Sequence, residues 1–300
     1  MLKSEALRKI ESLHPEKDAW EIVRLSIYYE FPWDFNRALE LALYKTYAVP
    51  SIAKILEKSK EFEKNTQKRY DDTDLLLSEI IENGLGEGRG LRALNQMNYI
   101  HSNYKISNED YLYVLGTFMF EPTYWINKFG YRKLTSNEEL AGFYVWKEIG
   151  EKMNIKDIPL SIRAFREYYD AFERTHFSYS DANAKVGRFT ENLLLSWYLP
   201  EFLYDAARPF LFSVMEPHVL DAFQHREPGP VLRSLTTSAL RLRSIAASLV
   251  PRSTPFIRTR DYAHKAYPNG YEIEKLGPEK LMDSPKCPYH QMKQAMKKAV

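Results

Sequence analysis

The sequence lacks most of the features that divide, cross-link or anchor a chain. Its 300 residues include a single cysteine, Cys287, which excludes an internal disulfide framework and makes a reducing compartment the default expectation. No Gly/Ser-rich linker, low-complexity tract or internal repeat separates one part from another. The longest apolar run, residues 111–120, falls short of the about 20 residues of a membrane-spanning helix, and the N-terminal residues lack the apolar segment of a signal peptide. We therefore expect a single domain over residues 1–300, located in the cytoplasm.

The sequence also lacks the motifs of several common enzyme classes. It contains no P-loop, no dinucleotide-binding glycine fingerprint, no Gly-x-Ser-x-Gly nucleophile elbow and no His-Glu-x-x-His zinc motif. Cys287 and His290 are both metal-capable, but no second pair accompanies them, so a tail loop is the simpler interpretation. The net charge of +2 argues against general nucleic-acid binding.

Positive charge is concentrated near the C-terminus. Residues 231–260 hold six arginines and no acidic residue. Apolar residues recur among them at helical spacing, which is typical of a helix that lies in a membrane interface, so the segment predicts peripheral membrane contact. The alternative is a helix that packs on the core and leaves its arginines in water. The arginines are Arg233, Arg241, Arg243, Arg252, Arg258 and Arg260, and the apolar residues are Val231, Leu232, Leu235, Leu242, Ile245 and Leu249.

Apolar residues recur at three- and four-residue spacing through most of the chain, which predicts an all-α fold. Thr135 and Glu138 form a capping-box pattern before one helix, and Ser107 and Asp110 form a looser version before another. The chain beyond Pro251 loses the helical pattern, so we expect an irregular C-terminal tail from about residue 251. The clearest predicted helices cover residues 19–30, 35–47, 75–83, 91–104, 140–153, 162–172 and 231–249.

Residues 67–78, QKRYDDTDLLLS, place an arginine and a hydroxyl at the start of an apolar stripe. Arg69 and Thr73 lie four residues apart and therefore share a helical face, which continues through Leu76, Leu77 and Ile80. A buried arginine needs a partner, because an unpaired buried charge is strongly destabilising. The residues leave two interpretations open. Arg69 either forms a structural ion pair with Asp72, which the pattern alone favours, or points with Thr73 at an anion or a polarised ligand.

His101 occupies the most distinctive position among the histidines. It shares a helical face with Leu94, Met97 and Tyr104. A neutral imidazole on an apolar face can be a haem axial ligand, although such a histidine is more often a core residue that bonds to a carbonyl. His176, in a polar segment, is the competing candidate. The histidines that lie beside prolines or in polar segments are expected to face solvent: His14, His218, His225 and His264.

Six motifs along the chain are long enough to compare with known families. They are EFPWD (30–34), TYAVPSI (46–52), RYDDT (69–73), MNYIHSNYKISNEDYLYVLGTF (97–118), EPTYWINKFGYRKLT (121–135) and ERTHFSYSDAN (173–183). They resemble those of the MpaB-type oxygenase family, which has the latex-clearing protein, or rubber oxygenase, as a distant branch. The similarity extends over roughly residues 10–280. It implies an all-α, globin-like helical bundle that encloses one b-type haem, and dioxygen-dependent cleavage of carbon–carbon double bonds in isoprenoid or other unsaturated apolar chains.

The resemblance also implies roles for particular residues. Arg69 and Thr73 match the arginine and threonine of the rubber oxygenases' distal Arg-x-x-Lys-Thr pattern, which makes them candidate catalytic and haem-contacting residues. His101 matches the proximal histidine and is the candidate iron ligand, with His176 as a second candidate for haem binding. Asp72 stands where that branch has lysine. Since an aspartate cannot coordinate iron as an amine does, the resting coordination of the haem is in question, and Asp72 is expected to pair with Arg69.

Two other functions remain open at this point. One is a haem enzyme that uses peroxide instead of dioxygen, although no distal histidine accompanies Arg69. The other is a non-enzymatic helical carrier of an apolar ligand, in which Arg69 and Asp72 form a structural pair. The dioxygen-using oxygenase that the resemblance implies would have an apolar small molecule and dioxygen as partners and haem b as cofactor.

Overall fold

A computed structural model describes residues 3–250, 252, 254–282, 284–285, 287–288 and 290. Every regular element in this part of the chain is helical and no β-strand occurs in it, which confirms the all-α prediction. The chain forms two compact units. The first consists of the residues up to Ser59 together with Ser107–Phe256, and the second of Lys60–Ile106 together with the chain from Ile257 onward. That residues 1–300 act as a single domain stays a prediction.

The sequence-predicted helices are all among the α-helices of the structure. Within the described residues, none is long and apolar enough to cross a membrane. The helices are α1 (Lys3–Ser12), α2 (Ala19–Leu25, continued by a π-helical turn, Ser26–Glu30), α3 (Pro32–Thr46), α4 (Pro50–Ser59), α5 (Glu61–Lys64), α6 (Thr66–Asn83), α7 (Arg89–Ser102), α8 (Asn108–Phe129), α9 (Ser136–Lys152), α10 (Ile162–His176), α11 (Asp181–Ser196), α12 (Tyr204–Phe212), α13 (Pro217–Ala222), α14 (Pro230–Ser248), α15 (Arg258–Asp261) and α16 (Glu279–Met282).

Local capping determines where the long helices of the first unit begin. Ser107 accepts a hydrogen bond from the backbone N–H of Asp110 at the start of α8. Thr135 and Glu138 form the predicted capping box at the start of α9. The apolar helix α8 runs through the core of this unit and packs against α3, α9 and α10. Gly116 permits the close approach of α10, because a Cβ atom there would lie 2.9 Å from Tyr169 Cδ2.

The second unit is built on α6 and α7, which pack against each other. The connecting turn uses Gly84 and Gly88, whose φ angles of 73° and 113° few other residues adopt. Gly90 then brings the first turn of α7 against the backbone of Gly84. Leu76, Leu77 and Ile80 are buried, so the apolar face of α6 belongs to the core of this unit.

The C-terminal segment from Ile257 to Gly277 is hydrogen-bonded to α6 and α7. The backbone N–H of Ala266 donates to Asp71 Oδ2 (2.8 Å), and Lys68 Nζ donates to the carbonyl oxygen of Gly277 (2.7 Å). His264 Nε2 lies 2.9 Å from Asp74 Oδ2 and the side chain is buried. The expectation that His264 faces solvent is therefore wrong, because a carboxylate of α6 binds its imidazole.

Two glycine-to-alanine variants test the close packing of α6 and α7. A Cβ atom on Gly90 would stand 1.9 Å from the carbonyl oxygen of Gly84, and this backbone atom cannot turn aside. Gly90→Ala should therefore lower the free energy of unfolding by about 1–3 kcal/mol or more. Gly142, inside α9, has no atom within 4 Å of its Cβ position. Gly142→Ala should therefore raise the free energy of unfolding by about 0.4–1 kcal/mol. Denaturant unfolding measures both, and an unchanged midpoint for Gly90→Ala would contradict this packing.

Candidate functional site

Arg69 and Thr73 lie on one face of the first turns of α6, as their spacing predicts. The helix begins at Thr66, so the motif RYDDT is helical throughout. Arg69 Nη1 donates a hydrogen bond to Thr73 Oγ1, and this hydroxyl lies 3.1 Å from the carbonyl oxygen of Arg69. The guanidinium also sits over the ring of Phe62, 5.5 Å from its centroid. These contacts hold the arginine and the hydroxyl together on the same side of the helix.

Asp72 does not pair with Arg69, so the predicted structural ion pair is wrong. Its carboxylate is buried, lies 3.0 Å from Lys68 Nζ and accepts a hydrogen bond from the hydroxyl of Tyr267. The i+3 position carries Asp72 to the side of α6 that the C-terminal segment covers, and its donors are found there. No carboxylate among the described residues forms an ion pair with Arg69, whose positive charge therefore remains available to other groups.

His101 lies in the last turn of α7, seven residues after the buried Leu94. The residue as a whole is half-buried, but its Nδ1 atom exposes almost no surface to solvent. Burial lowers the pKa of the imidazole to about 4, and the charge of Arg69 contributes to this shift. Two conclusions follow. The imidazole of His101 is neutral at neutral pH, and the guanidinium of Arg69 lies within electrostatic reach of it.

His176 lies elsewhere, at the end of α10 in the first unit. It is exposed and stacks on Phe172, with ring centroids 3.9 Å apart. Its Nδ1 atom lies 2.7 Å from Thr175 Oγ1 and 3.1 Å from the carbonyl oxygen of Phe172. The second unit thus holds Arg69, Thr73 and His101, whereas His176 belongs to the other unit.

The three residues of the second unit fit the protein side of a haem site. The described residues contain no group of three or more histidine, cysteine or acidic side chains that could hold a metal ion by themselves. A haem iron takes its equatorial ligands from the porphyrin and needs only an axial protein ligand. His101 suits that role because its imidazole is neutral, and neutral imidazole is the form that binds metal. Arg69 and Thr73 would supply a cation and a hydroxyl close to it.

A buried charged cluster in the first unit was missed by sequence reasoning. Lys45 is only 2% exposed, and its Nζ lies 2.7 Å from Glu121 Oε1 and 2.9 Å from Glu173 Oε1. Tyr169 donates to Glu121, and His218 Nε2 lies 2.7 Å from Glu173 Oε2. The available signal was a charged residue inside an apolar helical stretch, as Lys45 is in α3 and Glu121 is in α8.

The pKa values of the two carboxylates in this cluster shift in opposite directions. Burial raises the pKa of Glu121 despite the charge of Lys45. Burial also acts to raise the pKa of Glu173, but the bond from His218 and the charge and bond of Lys45 outweigh it and lower the value to about 2. His218 is exposed, as expected, although it also binds the buried carboxylate of Glu173. His225 is half-buried and binds Glu191 (2.8 Å), which corrects the expectation that it faces solvent.

The electrostatic coupling of Arg69 to His101 can be measured directly. An NMR titration of the metal-free protein should show an imidazole pKa of about 4 for His101. Arg69→Ala should raise this pKa but leave it below the ordinary 6.5, because burial is the larger cause and persists. Lys64→Ala, which removes an exposed charge of the same unit, serves as the control and should leave it unchanged. No change in Arg69→Ala would show that the two side chains are not within reach of each other.

Comparison with known proteins identifies the family. Residues 40–247, which include α6 and α7, match the domain described as "ER-bound oxygenase mpaB/B'/Rubber oxygenase, catalytic domain". The ER-bound oxygenase mpaB' of Penicillium brevicompactum is 23% identical over an alignment that covers 92% of this chain and 85% of the relative. The ER-bound oxygenase mpaB of Penicillium roqueforti is 27% identical, with 71% and 77% covered. The chain therefore belongs to the mpaB and rubber oxygenase catalytic-domain family, which is a family of oxygenases.

Proposed function

We propose that this protein is a haem b-dependent oxygenase that uses dioxygen to cleave a carbon–carbon double bond of an isoprenoid or other unsaturated apolar substrate. The observation that carries the proposal is the grouping of Arg69, Thr73 and His101 on α6 and α7 of one unit. Membership in an oxygenase family supports the oxygenase activity. The haem and the kind of bond that is cleaved rest on the match of these three residues to the rubber oxygenases.

His101 would hold the iron of the haem through its imidazole. The low pKa of this side chain keeps the ring neutral, so binding needs no deprotonation at neutral pH. When bound, the haem supplies the redox chemistry that side chains lack. The protein's own contribution is to place the ligand and to set the charge around it.

Arg69 and Thr73 would stabilise negative charge that develops on dioxygen during the reaction. Their mutual hydrogen bond and the stacking on Phe62 fix both groups before any substrate arrives. Such preorganised donors act more strongly in a site of low dielectric than in water. Because Asp72 is bound to Lys68 and Tyr267, it does not neutralise the charge of Arg69.

The same contacts of Asp72 bear on the resting coordination of the iron. The rubber oxygenases have a lysine at this position, and an amine can bind iron. Asp72 is buried on the side of α6 that the C-terminal segment covers. We therefore infer that Asp72 would not bind the iron and that His101 would hold it.

Haem binding through His101 is tested by substitution. His101→Ala should lose the stoichiometric Soret band while keeping the helical circular dichroism of the parent, because the side chain is half-buried and leaves the helix intact. His176→Ala should keep the full band, since this histidine lies in the other unit. A normal spectrum for His101→Ala together with a lost band for His176→Ala would assign the ligand to His176. No haem in the parent protein would favour a carrier of an apolar ligand.

The role of Arg69 is tested by separating turnover from stability. Arg69→Ala and Thr73→Val should still bind haem through His101, but turnover should fall about 10²- to 10³-fold, the usual loss when one donor to a developing anion is removed. Asp72→Asn is the matched control on the same helix. It should lower the free energy of unfolding by about 1–3 kcal/mol, because Lys68 and Tyr267 lose a charged partner, and leave the turnover of folded protein near the parent value.

Oxygen uptake with farnesyl and geranylgeranyl chains and with squalene measures turnover, and thermal unfolding measures stability. Peroxide consumption without oxygen uptake in the parent would favour the peroxide-using enzyme. Parent-rate oxygen uptake by Arg69→Ala with its haem intact would contradict the role given to this arginine.

A further inference from the structure

The helix α14 presents its apolar side chains to solvent. Five aliphatic residues on it and at its C-terminal cap are between 49% and 77% exposed. Their spacing of four, seven, three and four residues places them on one face along the whole helix. They are Val231, Leu235, Leu242, Ile245 and Leu249, and we call them the outward face of α14.

The charged side chains of α14 make contacts on the protein instead. Arg243 lies 2.7 Å from Asp34 Oδ2, and its guanidinium sits 3.7 Å from the ring centroid of Trp33. Arg233 Nη1 donates to the carbonyl oxygen of Met215 (2.8 Å). An ordinary surface helix turns its apolar residues to the core and its charges to water. In α14, by contrast, Arg233 and Arg243 attach the helix to the rest of the first unit, and an aliphatic face is left exposed.

The contacts of residues 231–260 exclude several of them from the membrane-facing set that the sequence suggested. Leu232 is half-buried and does not belong to the outward face. Arg233 and Arg243 bind the first unit and are not the charges that a partner would meet. Arg258 lies in the second unit, where it pairs with Asp74 at 2.9 Å.

Further exposed apolar side chains lie on neighbouring elements of the first unit. The helix α12 packs against α14 and exposes Phe210. The turn before α12 exposes Phe202, and Trp33, which contacts Arg243, is partly exposed. Exposed aromatic residues beside an aliphatic face are typical of surfaces that meet lipid, because their rings prefer the level of the headgroups.

The charge around the outward face is positive. No acidic residue occurs between Glu227 and Asp261. Arg241, four residues before Ile245, is exposed at the edge of the outward face. Its Nε donates a hydrogen bond to the carbonyl oxygen of Lys128, and the lysine residue is exposed as well. A partner that covers the outward face therefore meets cations at its border and no carboxylate within α14.

We propose that the outward face of α14 docks the protein on an anionic lipid surface, with the helix lying in the plane of the interface. The apolar side chains would enter the boundary between headgroups and acyl chains, and Arg241 and Lys128 would meet anionic headgroups. A second copy of the chain suits the face less well. Two such faces would bring the same cations, Arg241 and Lys128, together.

Vesicle flotation tests the proposal on the full chain. Vesicles of phosphatidylcholine with one fifth phosphatidylserine should carry the parent protein, and binding should weaken in high salt and on pure phosphatidylcholine. Leu235→Glu/Leu242→Glu should reduce the partition coefficient at least about tenfold, because the apolar contact is lost and anions replace it. Leu160→Glu introduces a glutamate at a single exposed leucine outside α14, and this control variant should bind as the parent does.

Each result decides between the possible occupants of the face. Equal binding by Leu235→Glu/Leu242→Glu and the parent would overturn the proposal, as would the absence of flotation with either vesicle. A parent dimer in sedimentation that the double substitution converts to a monomer, without vesicle binding, would assign the face to a second copy. Circular dichroism of the double variant checks that it folds. The result does not depend on haem or on turnover.

Discussion

The second unit depends on the pairing of five acidic side chains along one helix. Asp71, Asp72, Asp74, Glu79 and Glu82 all lie on α6, and each accepts hydrogen bonds from the C-terminal segment. Without those donors, like charges three residues apart would repel each other and buried oxygens would lose hydrogen bonds. The donors are the backbone N–H groups of Ala266 and Thr259 and the side chains of Arg258, Thr259, His264, Tyr267 and Tyr271.

This pairing also defines the electrostatics of the candidate site. The acidic residues of α6 are bound by the C-terminal segment. Arg69 contacts Thr73 and the ring of Phe62 instead, on the other side of the helix. Its charge then acts on His101 and on the hydroxyl of Tyr104, whose pKa burial raises and Arg69 lowers. A cation on α6 thus acts on a neutral imidazole on α7.

The features that the sequence predicted well are local. Helix periodicity, the cap at Ser107 and the capping box of Thr135 and Glu138 depend on residues within one or two turns, and the structure confirms them. The shared face of Arg69 and Thr73 follows from the same periodicity. The spacing of residues on a single helix is visible in one sequence because no other part of the chain is needed to define it.

The features that the sequence could not predict are partners from distant segments. Asp72 had a plausible partner three residues away, but it bonds to Tyr267, 195 residues further along the chain. His264 was expected in solvent and is buried against Asp74, 190 residues away. The cluster around Lys45 likewise joins α3, α8 and α10. A single sequence gives the type of each side chain but not the long-range packing that decides which donor meets which acceptor.

The discontinuity of the second unit has a consequence for how the protein is made. The helices α6 and α7 are synthesised before residues 107–256 of the first unit, whereas the donors that pair with the acidic side chains of α6 follow those residues. Closing so long a loop is slow, since its entropy cost precedes the contacts that offset it. Until then the carboxylates of α6 lack their donors from the C-terminal segment, a state with which a chaperone or a protease can engage. The unit that bears Arg69, Thr73 and His101 is therefore begun before residues 107–256 are made and completed only after them.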